Sequence, residues 1–161
     1  MAIKLAHALG AEVTLFTRSA GKVEDAKRLG AHHVVMSNDK EQMKAARNTF
    51  DLIIDTVPSA HDLNPYIPTL KLDGTLVMVG LLGKLDNMLN ISPLIRGRRT
   101  IAGSLIGGIQ ETQELLDFCG EHNITADVEI IEMQEINDAF VRMENSDVKY
   151  RFVIDMQSLK A

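Results

Sequence analysis

Apolar residues recur every three or four positions through Ala2, Ile3, Leu5, Ala6 and Leu9. That spacing predicts a helix, with Gly10 placed to end it. Val13, Leu15 and Phe16 predict a first strand. Val23, Ala26 and Leu29 then fall on one face of a second helix that opens at Gly21-Lys22 and stops at Gly30. "HHVVMS" predicts a short strand. Asn38 with Glu41 three residues on resembles a capping box for a helix running to about Arg47. "FDLIIDT" is an almost unbroken apolar run, the pattern of a strand buried on both faces.

The second half continues the rhythm. "HDLNPYIPTLKL" predicts a helix with Pro65 near its start, although Pro68 fits it poorly. Asp73-Gly74 is a turn and "TLVMVG" a buried strand. "SPLIRGRR" predicts a helical turn, "TIAGSLI" a strand, and Gly107-Gly108 the entry to a helix carrying Ile109, Leu115, Leu116 and Phe118. "ADVEII", "QEINDAFVRMEN" and "YRFVID" close the chain as strand, helix and strand. Strands alternating with helices imply an α/β fold built on a doubly wound, mostly parallel sheet. The pattern changes after about Ala126. The expected division is therefore residues 1–126 as a Rossmann-like unit and 127–161 as a segment that need not share its sheet.

The opening helix and strand resemble the second half of a βαβ nucleotide-binding unit. The leading strand and glycine-rich turn of such a unit do not precede them. Composition narrows the partners. A net charge of −5, two Tyr, five Phe and no Trp argue against nucleic acid. The single Cys119 excludes an intrachain disulfide and favours a reducing compartment. No apolar run approaches a membrane span, and no signal-peptide pattern is present. The cytoplasm is the expected location.

In an open parallel sheet, ligands bind beyond the carboxyl ends of the strands. The first strand ends in Thr17-Arg18-Ser19, with Lys22 in the next turn and no acid. At that place an acid selects a free ribose hydroxyl. A guanidinium with hydroxyls suits a 2′-phosphate, which points to NADP. A solvated basic turn is the alternative. Thr56, Gly80 and Ser104-Leu105-Ile106 stand at later strand ends. Gly80 leaves room for a ring or ribose, and residues 104–106 carry backbone groups suited to a carboxamide.

Other chemistry-bearing residues read as structural. His32 and His33 lack the spaced partners of a metal site. His61 reads as a surface residue near a helix start, with an approach to a ligand as the alternative, His122 as a helix C-terminal residue, and Cys119 as core. Asp51 and Asp55 lie too far apart along a strand to act as an acid/base pair. No Ser/His/Asp or Cys/His set is evident.

Four stretches carry a resemblance over essentially the whole chain: "AIKLAHALGAEVTLFTRSAGKVEDAKRLGA", "FDLIIDTVPSAHDLNPYIPTLKLDGTLVMVG", "TIAGSLIGGIQETQELLDFC" and "DVKYRFVIDM". They resemble the cofactor half of zinc-dependent medium-chain alcohol dehydrogenases, in the NADP-dependent cinnamyl-alcohol-dehydrogenase-like branch that includes bacterial aldehyde reductases. The resemblance implies that Thr17, Arg18, Ser19 and Lys22 hold the adenosine 2′-phosphate. Thr56 and Gly80 would lie along the nicotinamide nucleotide, and Ser104, Leu105 and Ile106 near its amide. It also implies a homodimer through the edge strand near Ile101–Ile106, and a C-terminal segment that returns to the catalytic domain.

The resemblance has gaps. The family's zinc ligands and pyrophosphate turn belong to regions that these residues do not match, so neither a catalytic nor a metal-binding residue is assigned. The expectation is a fragment of an NADP(H)- and zinc-dependent alcohol dehydrogenase or aldehyde reductase, inactive by itself. A non-catalytic nucleotide-binding or assembly module is the alternative. A methyltransferase-like sheet is disfavoured by Arg18, which stands where that fold needs an acid. In the family's strand order the unmatched first strand lies centrally. Two unpaired strand edges and poor stability are therefore expected.

Overall fold

The computed structural model describes residues 1–80, 83–85, 87–145 and 147–160. Three parallel sheets form among them. β1 (Thr14–Thr17) pairs with β2 (His33–Met36). β3 (Phe50–Asp55), β4 (Leu70–Met78) and β5 (Thr100–Gly103) form the second sheet in that order. β6 (Glu129–Glu132) pairs with β7 (Phe152–Asp155). The helices are α1 (Ala2–Ala8), α2 (Val23–Arg28), α3 (Lys40–Ala45), α4 (Ser92–Gly97), α5 (Ile109–Glu121) and α6 (Ile136–Glu144). The parallel α/β alternation is that predicted from the apolar spacing.

Local chemistry explains most boundaries. Gly10, just past α1, has φ +82°, a conformation that costs glycine little. Gly30, past α2, has φ +107° and lets His7 close on the turn; a Cβ there would stand 2.9 Å from the imidazole. His7 in turn stacks on His32, with ring centroids 5.2 Å apart. The cap of α3 is Asp39 and not Asn38. Its carboxylate accepts from the backbone N–H groups of Glu41 and Gln42. At α5, Glu111 accepts the Gly108 N–H at 2.6 Å.

Two elements differ from expectation. "HDLNPYIPTLKL" is not a helix. Only Ile67–Thr69 makes a 3-10 turn, and Leu70 already begins β4. Pro65 and Pro68 supply no amide hydrogens, which prevents a continuous ladder of helical bonds. Asp73-Gly74 is a bend within β4 and not a break before it. Asp73 takes φ +62°, and the register against β3 jumps from Phe50↔Leu70 to Leu52↔Thr75.

The core lies on one face of the second sheet, where Ile53, Leu70 and Leu76 pack with Leu63 from the loop after β3. Phe16 of β1 joins it edge-on to Phe50 and Tyr66, at 5.2 and 5.3 Å. Side chains connect β1 to β3, but no strand pairing does. The opposite face of β3 is uncovered: Leu52 is 54% and Ile54 48% exposed. The expectation of a strand buried on both faces therefore fails. α5 buries no residue fully, and Cys119 is half-buried, not core.

The segments leading into the last two strands are tied to the first helices by charge. Lys4 of α1 contacts Asp127 at 2.9 Å, and Lys149 contacts Asp25 of α2 at 3.0 Å. The hydrogen bond from Lys4 holds the Asp127 carboxyl below the usual aspartate range, and that from Lys149 does the same for Asp25. Arg28 stands 3.5 Å from Asp127 Oδ2, a buried oxygen without a hydrogen-bond partner among the described residues.

Candidate functional site

Register aligns the carboxyl ends of the second sheet. Asp55 stands opposite Met78, and Met78 opposite Gly103. Beyond these ends lies a cleft of about 330 Å³, lined by Met78, Val79, Gly80, Gly103, Ser104 and Leu105. It is an open depression at the strand ends and not an enclosed cavity. Three of its lining residues, Gly80, Ser104 and Leu105, were singled out by their strand-end positions.

Gly80 has a different cause from the one the sequence suggested. A Cβ there would overlap the Val57 carbonyl oxygen and stand 2.7 Å from its carbon. The space is filled by the chain's own backbone, which crosses over Gly80 as it leaves β3. The Asp55 carbonyl binds this crossing by accepting from the N–H groups of both Val79 and Gly80. Thr56 is exposed beside it. Ser104 also has less to offer than its position implied. Its N–H is committed to the Met78 carbonyl at 3.0 Å. Leu105 and Ile106 are exposed, at 76% and 86%.

The end of β1 forms a compact basic turn. The Ser19 N–H donates to Thr17 Oγ1 at 3.1 Å, and the Lys22 N–H to the Ser19 carbonyl at 3.2 Å. Arg18, Ser19 and Lys22 are exposed. Among the described residues neither Arg18 nor Lys22 is paired with a carboxylate, unlike Lys27 and Arg28 of α2 just beyond. Two free cations and two hydroxyls on a turn fixed by its own hydrogen bonds are the donor set an anionic phosphoester requires.

Position in the sequence did not reveal the pair under the loop after β3. Asp55 is buried, and His61 is mostly buried rather than a surface residue. His61 Nε2 lies 2.9 Å from Asp55 Oδ2, and Nδ1 lies 2.9 Å from the Ser59 carbonyl. Nothing in the hydrophobic pattern marks residues six apart across a loop as partners. An aspartate closing an apolar run was the one visible signal.

His32 Nδ1 accepts the Val13 N–H and His33 meets Glu12, so both histidines serve the β1–β2 pairing. No group of three His, Cys, Asp or Glu side chains comes together as a metal site among the described residues. Among them no helix is long and apolar enough to cross a membrane.

Known proteins match this arrangement. The family model for zinc-binding dehydrogenase covers residues 1–121. A probable mannitol dehydrogenase of Medicago sativa is 53% identical over 157 residues, covering 97% of this chain and 44% of that protein. The aldehyde reductase YahK of Escherichia coli is 51% identical over 159 residues, 99% of this chain and 46% of its own. Among solved structures, a cinnamyl alcohol dehydrogenase of Sorghum bicolor superposes with a TM-score of 0.91 at 44% identity, over 96% of this chain and 44% of that one. The Helicobacter pylori enzyme complexed with NADP(H) has a TM-score of 0.83 at 38% identity, over 98% of this chain and 44% of that one. The chain thus spans less than half the length of the curated relatives it matches. With both fold and sequence matched over nearly all of its length, it belongs to the zinc-binding dehydrogenase family.

Proposed function

We propose that this chain is the NADP(H)-binding part of an alcohol dehydrogenase or aldehyde reductase that moves hydride between NADP(H) and an alcohol or aldehyde. The observation that carries this reading is the basic turn at the end of β1. Arg18 and Lys22 bring uncompensated positive charge, and Thr17 and Ser19 bring hydroxyls, to the edge where an adenosine 2′-phosphate would lie. Each charge-assisted hydrogen bond contributes about 1.5–3 kcal/mol, so two of them favour NADP over NAD by at least a hundredfold. The nicotinamide would reach the cleft, beside Thr56 and Gly80 and facing the Ser104–Ile106 backbone. The exposure of Leu105 and Ile106 supports a contact between this segment and its amide. When bound, the nicotinamide supplies the hydride chemistry.

Zinc enters only through the family. The donor set among the described residues does not fit it, and no step is assigned to it in this chain. Residues 1–126 would form the cofactor unit and 127–161 a segment packing with the catalytic domain. The separate β6–β7 sheet supports this division. A homodimer through the free edge of β5 near Ile101–Ile106 fits the exposure of Leu105 and Ile106. A cytoplasmic setting suits the lone cysteine.

Calorimetric titration with NADPH and NADH tests the reading. The chain is expected to bind NADPH at least a hundredfold tighter than NADH, and Arg18→Ala with Lys22→Ala to abolish the difference. Equal affinities in the unaltered chain would sink it. The chain alone is expected to show no zinc-dependent aldehyde reduction.

A further inference from the structure

The loop that leaves β3 is held by a device which the cofactor reading does not include. Thr56, Val57, Pro58, Ser59 and Ala60 are all exposed, and no regular structure fixes them. Beneath them sit Asp55 and His61, whose side chains are only 8% and 18% exposed. Asp55 Oδ1 accepts the Val57 N–H at 3.0 Å. Its Oδ2 faces His61 Nε2, while His61 Nδ1 faces the Ser59 carbonyl. The imidazole thus reaches from the start of the loop to its middle. The edge of Tyr66 supports it, with ring centroids 6.2 Å apart.

A carbonyl oxygen only accepts, so His61 Nδ1 is the donor to Ser59. Nε2 faces Asp55 Oδ2 at 2.9 Å, an ion pair whenever the imidazole is protonated.

We propose that Asp55 and His61 are positioning residues for the cofactor. Together they staple the Thr56–Ala60 loop in the shape it presents to the nicotinamide half of NADP(H). The proposal rests on the cofactor reading above. Its link to the cleft is the backbone crossing at Gly80: the stapled loop lies against this glycine, which lines the cleft with Gly103 and Ser104. His61 does not line the cleft itself, so it acts through the loop.

The test compares two probes on the full chain by calorimetry. NADPH spans both halves of the site; adenosine 2′,5′-bisphosphate reports only the adenosine half. His61→Ala is expected to weaken NADPH about tenfold, through loss of its bond to the Ser59 carbonyl and its contact with Asp55, and to leave the bisphosphate within about twofold. Asp55→Ala should do the same. Asp55→Asn is the informative variant. An Asn amide oxygen can still accept the Val57 N–H while its nitrogen faces a neutral His61 Nε2, so the hold on the loop survives loss of the carboxylate charge. Its NADPH affinity should stay within about twofold of the parent. If His61→Ala fails to fold, the contrast between Asp55→Asn and Asp55→Ala still decides.

Unchanged NADPH binding in His61→Ala, equal losses for both probes, or an Asp55→Asn chain as impaired as Asp55→Ala would each overturn the proposal. If the unaltered chain binds the bisphosphate but not NADPH, the adenosine site stands and the loop proposal falls. If it binds neither, the cofactor reading fails and takes the proposal with it.

Discussion

At Gly80 the missing side chain is replaced by backbone. A methyl group there collides with the Val57 carbonyl, and neither β4 nor the loop can shift without losing the bonds at the Asp55 carbonyl. Gly80→Ala is expected to cost about 2–3 kcal/mol of stability, whereas Gly103→Ala, whose Cβ would meet nothing within 4 Å, should cost under about 0.5 kcal/mol. Denaturant midpoints of the two variants measure the contrast, and equal midpoints would refute it. A glycine at a strand end was legible in the sequence; the segment that crosses it was not, because that segment is 23 positions away. Asp39 carries a similar lesson. Asn38 and Asp39 are adjacent cap-forming residues, and only the backbone turn decides which one aims its oxygen at the helix. Asp39→Ala should therefore lose about 1 kcal/mol and Asn38→Ala almost nothing, by the same measurement.

Among elements, the ionic ties between α1, α2 and the segments leading into the last two strands stand out. They join residues more than a hundred positions apart, Lys4 to Asp127 and Asp25 to Lys149. Both aspartates are held below the usual range by the lysine hydrogen bonds that reach them. A carboxyl lowered in the folded state stabilises that state fully above its unfolded value of about 3.9, and the contribution fades as pH falls through the lower folded value. Thermal unfolding should therefore show a loss of stability below about pH 4 that is smaller in Lys4→Ala than in the parent. An identical acid profile for both chains would show that the Lys4–Asp127 tie contributes nothing. The amphipathic spacing of α1, α5 and α6 was readable in the sequence. These ties were not, since charged residues on helix faces look alike whether they meet solvent or one another.

Over the whole molecule, 11318 Å² is exposed, against about 8000 Å² for a compact monomer of this mass. Large apolar side chains contribute to it, among them Leu52 and Ile54 on the open face of β3. β1 and β3 each have one unpaired edge, and Leu52 and Ile54 lie open beside the β3 edge. Open strand edges with apolar neighbours template self-association. The chain is expected to self-associate on heating, with light scattering that rises before or with the loss of secondary structure. Leu52→Lys should delay that rise without changing the circular dichroism of the folded chain, because a charge on the open face opposes edge pairing. A reversible, monomeric unfolding transition in the parent would contradict the expectation.

The sequence by itself determined the order of the strands, their parallel character and the basic end of β1. Each depends on residues close together in the chain, through apolar period, glycine placement and charge. Tertiary structure alone decided that β3 has one open face, that Gly80 yields to backbone and that His61 lies under a loop against Asp55. Those outcomes depend on which surfaces meet after the chain folds back, and local periodicity carries no record of that.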